Sequence, residues 1–131
     1  MISRLLTTVS ALVLFVLGLA LLFAPDVVLG RLVPGFPPGS AWVGSLLGAA
    51  WLGMAALDWS HRTTLLGGIY GRPVVYANFV LFLVSALVLV RVVLRPGMPP
   101  VIWLFALPFF VLAVAWALLL FRGPFDPLDR A

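Results

Sequence analysis

The chain has no cysteine, no glutamate and no lysine, and its one histidine is His61. Without cysteine there is no disulfide, no thiolate metal site, no iron–sulfur cluster and no cysteine nucleophile within this chain. A metal centre usually draws three or four ligands from His, Cys, Asp and Glu. One histidine and four scattered aspartates do not supply such a set, so neither a metal nor a cofactor is expected. Two axial histidines for a haem would require two copies of the chain. Charge is scarce as well. Only 9% of residues are charged, against roughly 25% in an ordinary soluble domain. A soluble fold of 131 residues must coat its surface with polar groups, and a chain that is 64% hydrophobic has too few. A bilayer removes that demand. The length allows one domain, 1–131.

What charge there is comes to +4, with arginine as the only cation at neutral pH. The arginines stand singly at the edges of apolar blocks and form no basic cluster. Nucleic acid is therefore not an expected partner. They read as topology markers and lipid-headgroup contacts. Membrane lipid is the first expected partner.

Four apolar blocks, at about 5–24, 40–58, 73–94 and 100–121, are each long enough to cross a bilayer. Twenty residues at about 1.5 Å per residue cover roughly 30 Å of hydrocarbon. The fold expected is all-α, an antiparallel four-helix transmembrane bundle with short loops. The first block, preceded by Arg4, also has the outline of a cleavable signal peptide. It is longer than the usual h-region of about 7–15 residues, so it is expected to stay. Pro25 stops it. Asp26 is expected to cap a short helical turn reaching Leu32, and Ser40 to cap the second span. Pro108 inside the last span predicts a kink.

The second span is rich in small residues. Gly44 and Gly48 form G-x-x-x-G, and Ser45, Ala49 and Gly53 repeat the four-residue step beside it. Such a face lets another helix approach closely. Packing within the chain is the expected use, and a homodimer or larger membrane complex is the alternative.

Residues 58–78 form a polar hinge between the second and third spans. They hold Asp58, His61, Arg62, Tyr70, Arg72, Tyr76 and Asn78, with Ser85 seven residues after Asn78 on the same helix face. Polar groups at membrane depth are functional by default. A binding site would use Arg72 on an anionic headgroup or carboxylate, the tyrosines on an apolar tail, and Asn78 and Ser85 at the entrance to the bundle. The plainer reading pairs Asp58 with Arg62 or Arg72, assigns the tyrosines to the aromatic belt, and bonds Asn78 to a neighbouring helix. No catalytic residue is expected. Walker, H-E-x-x-H and G-x-S-x-G motifs are all absent.

Arg4, Arg62, Arg72, Arg122 and Arg130 fall on one side of a four-span layout, and Arg31, Arg91 and Arg95 on the other. The bias places both termini and the hinge in the cytoplasm. The first and third loops also match: Pro34-Gly35-Phe36-Pro37-Pro38 against Pro96-Gly97-Met98-Pro99-Pro100. Two helical hairpins repeated in parallel would produce that match.

Phe23-Ala24-Pro25-Asp26 at the end of the first span, the small-residue second span and the run from Gly68 to Pro73 carry a resemblance across most of the chain. The order is similar to bacterial four-helix inner-membrane proteins grouped with the DoxX-like families. Some of those resemble subunits of quinone-linked oxidoreductases and others assembly chaperones. The resemblance carries no redox ligand set onto this sequence. The leading expectation is a non-enzymatic, lipid-packed or complex-associated subunit. The alternatives are a small-solute or lipid-binding transporter with its site at the hinge, and a quinone-linked redox subunit.

Overall fold

A computed structural model of the chain describes residues 2–63, 69 and 71–122. Its elements are α1 (Ile2–Phe23), α2 (Pro25–Leu32), α3 (Ala41–Ser60), α4 (Arg72–Val93) and α5 (Trp103–Arg122). Single 3-10 turns at Pro38–Ser40 and Pro100–Ile102 lead into α3 and α5. The described residues are all-α, and α1, α3, α4 and α5 are long and apolar enough to cross a membrane. This is an integral membrane protein, and lipid explains its form. A helix bonds its interior N–H and C=O groups within itself, which keeps the backbone satisfied in hydrocarbon.

Prolines, rather than side-chain caps, set the helix starts. Pro25 opens α2, and neither Asp26 nor Ser40 makes the side-chain cap expected of it. Pro73 follows Arg72 in the first turn of α4, where a missing N–H costs nothing. Pro108 lies inside α5, which continues unbroken to Arg122. It deprives the Leu104 carbonyl of its helical donor. Trp42, Trp59 and Trp103 are exposed near helix ends, as interfacial belts require, while Trp51 and Trp116 are buried.

The chain folds as two hairpins, α1 with α3 and α4 with α5. In the first, backbones touch. A Cβ on Gly48 would lie 2.7 Å from the Gly18 carbonyl oxygen and 2.9 Å from the Leu22 nitrogen. Gly18 in turn meets Gly48 and Leu52, and Ala11 lines a groove with Leu52 and Trp59. Descending numbers on α1 meet ascending numbers on α3. Gly44 packs on Leu29 of α2. The G-x-x-x-G pair is thus spent inside the chain. Of the neighbouring stripe, Ser45 is half-buried, whereas Ala49 and Gly53 are exposed and a Cβ on Gly53 would meet nothing. The second hairpin is aromatic. Phe79 meets Phe121 edge-on at 5.8 Å, and Phe82 meets Phe109 at 5.3 Å. Trp51 reaches across from α3 to Phe109 at 5.2 Å, joining the core around Leu14, Leu21, Phe82 and Trp116.

The two hairpins share their element plan. α1 and α4 each have 22 residues, and α3 and α5 each have 20. Gly35 and Gly97 both take positive φ, at 72° and 83°, the left-handed region open to glycine. Pro37 and Pro99 are both extended before their 3-10 turns. α4 starts 70 residues after α1, but Gly97 follows Gly35 by 62. The difference equals the 8 residues of α2. α2 thus accounts for the offset between the two hairpins.

Candidate functional site: a polar half of the bundle core

The buried polar side chains among the described residues are Ser3, Thr7, Ser10, Asp58 and Asn78. All belong to the half of the bundle next to the hinge. At about 1.5 Å per residue, Asp58 lies about 3 Å inside the end of α3, Asn78 about 9 Å inside the start of α4, and Ser10 about 12 Å along α1. The other half of the core is apolar.

Thr7 is satisfied on its own helix, its hydroxyl donating towards the Ser3 and Arg4 carbonyls at 3.0 Å. Ser10 and Asn78 work between helices. The indole N–H of Trp116 on α5 donates to Ser10 Oγ on α1 at 2.9 Å. Asn78 Nδ2 on α4 donates to Asp58 Oδ1 on α3 at 2.5 Å, and also to the Val74 carbonyl at 3.0 Å. Each of these side-chain pairs ties one hairpin to the other.

The Asp58–Asn78 pair is fully buried and incomplete. Both amide hydrogens of Asn78 are used, yet Asp58 Oδ2 and Asn78 Oδ1 have no hydrogen-bond partner. Both are acceptors. Burial of an acceptor without a donor is costly, and burial of an unpaired carboxylate more so.

The other hinge residues do not converge on this pair. Asp58 does not pair with Arg62. α3 ends at Ser60, so the four-residue helical step no longer holds at Arg62. Arg62 instead stacks its guanidinium 4.1 Å over the Trp59 ring and donates to the Trp59 carbonyl at 2.6 Å. Arg72 and Tyr76 are exposed, in keeping with an interfacial position. Ser85 is half-buried two turns beyond Asn78. Tyr70 lies outside the described residues, as do Gly67 and Gly68. His61 is half-buried, with Nδ1 2.9 Å from the Leu57 carbonyl. A carbonyl only accepts, so Nδ1 carries hydrogen in that bond.

The polar pairing of Ser10 with Trp116 went unread in the sequence. Ser3, Thr7 and Ser10 step by four and three residues along one face of α1, which was the available signal.

No protein-family model, no curated protein and no solved structure matches the chain.

Proposed function

We propose that this protein is a non-enzymatic membrane subunit that presents the outer face of α3 to another transmembrane helix. One mismatch carries the reading. The α3 span has a mean hydropathy of 1.4, against 2.4–2.6 for the other three, yet only 22% of it is buried, against 28–33%. The least apolar span thus shows the largest share of itself to the surroundings. Its exposed face sets Leu46 and Leu47 beside the small Ala49 and Gly53, a surface on which a neighbouring helix packs more closely than lipid chains do. Ala49 and Gly53 would permit that helix to come close. The partner is a second copy of the chain or a member of a larger complex. The arginine bias supports cytoplasmic termini, and the loop motifs similar to DoxX-like proteins support a bacterial inner membrane.

The cysteine-free chain makes the test clean. Gly53→Cys and Val84→Cys are oxidised separately in native membranes, Val84 lying exposed on α4. Cross-linked dimer at position 53 and not at 84 is expected for a second copy. A cross-link to a different protein at 53 identifies a larger complex. No adduct at 53 with either, or equal adducts at both positions, contradicts the proposal.

A further inference from the structure

We infer that Asp58 and Asn78 form a binding site for a single proton, reached from the hinge side of the membrane. The argument begins with a count. Asn78 Nδ2 already donates to Asp58 Oδ1, and the atoms left over are Asp58 Oδ2 and Asn78 Oδ1, both fully buried and both without a donor. A carboxylic acid and a primary amide can close an eight-membered ring. The amide N–H donates to one carboxyl oxygen, and the acid O–H donates to the amide carbonyl. The first of these bonds is present. The two orphaned oxygens are the two that the second bond joins. One hydrogen on Oδ2 turns an acceptor into a donor, satisfies both atoms and removes the net charge.

Among the described residues, no arginine neutralises Asp58. From its own helix, Asp58 is faced by His61, one turn onward. α4 offers Asn78, with the cationic Arg72 exposed at its start. The cations of α1 and α5, Arg4 and Arg122, are exposed as well. Among the described residues, none makes an ion pair with Asp58. A sodium-sized ion fits less well, because hard metal cations bind through about six oxygens, and the orphans number two. A proton needs one oxygen to carry it and one to accept from it.

Binding is a simple acid–base step. Oδ2 takes a proton from hydronium at the hinge, its new O–H bond forming as the hydronium O–H bond breaks and leaves water, and the reverse step returns the proton to water. Asp58 stands two residues from the end of α3, and the half-buried His61 stands one residue past that end. Proton binding at this seam would also grip one hairpin to the other, because Asp58 and Asn78 belong to different hairpins.

Infrared spectroscopy of the full chain in lipid vesicles at neutral pH tests this. The wild-type spectrum minus that of Asp58→Asn isolates one carboxyl group, since the other aspartates are common to both. The expected result is a protonated-acid C=O band that shifts in heavy water and moves to the position of a weakly bonded acid in Asn78→Leu. Asp58→Asn should keep the wild-type melting temperature, because its amide reproduces both ring bonds. If that variant fails to fold, the Asn78→Leu difference spectrum still reports the Asp58 band. Carboxylate bands alone at this site would overturn the inference. So would an acid band seen in choline chloride but lost in sodium chloride, which would assign the site to a metal cation.

Discussion

Two seams join the hairpins, and they are built differently. Between α1 and α5, Trp116 gives its indole hydrogen to Ser10, and neither side chain leaves a buried orphan. Between α3 and α4, Asn78 gives a hydrogen to Asp58, and two oxygens remain unpartnered. Each seam joins the first helix of one hairpin to the second helix of the other, α1 to α5 and α4 to α3. One is a neutral lock in which each buried polar side-chain atom has a partner. The other is complete only with something added. A pair of hairpins can thus hold a structural joint and a responsive one, with the chemistry decided by a single ionisable residue.

Substitutions can be ordered by how strongly they bear on this contrast. Gly48→Leu lies within the first hairpin and should disturb both seams at once, because its side chain would meet the backbone of α1. A loss of about 3 kcal/mol or more is expected, read by reversible unfolding in bicelles. Asp58→Leu breaks only the α3–α4 seam and strands an amide hydrogen of Asn78. It should cost about 2 kcal/mol, while Asp58→Asn stays within about 0.5 kcal/mol of wild type. Equal losses in those two variants would mean that charge, and not the hydrogen-bond ring, holds the seam. Ser10→Ala strands the Trp116 indole N–H and should cost about 1 kcal/mol, with no change in the Asp58 infrared band. A changed band would show that the seams are one unit. Gly53→Ala should leave both seams intact. It should raise helix stability by up to about 1 kcal/mol while weakening self-association in analytical ultracentrifugation.

The spans were legible because their cause is local. A block of 20 apolar residues bounded by proline and arginine has few alternatives, and α1, α3, α4 and α5 lie within a few residues of their expected positions. The paired loops were legible for the same reason. The left-handed glycine and the extended proline recur with the same short motif. The site was only half legible. Asp58 and Asn78 were conspicuous as polar residues in apolar surroundings, but their union was not, since no local periodicity reports which helices are neighbours. Arginine was the obvious partner for Asp58, and it failed because α3 ends before Arg62 and turns that side chain onto Trp59. Ser10 and Trp116 escaped notice for a related reason. Outward faces in lipid are as apolar as the core, so a helix such as α1 does not announce which side it buries.

A double-mutant cycle on the α3–α4 seam addresses the central claim most directly. The unfolding free energies of Asp58→Leu, Asn78→Leu and the double variant are measured against wild type. The account predicts that the double variant is more stable than Asn78→Leu alone, with a coupling of about 1 kcal/mol or more, because removing both partners leaves no orphan. Additive losses would show that Asp58 and Asn78 do not hold the hairpins together.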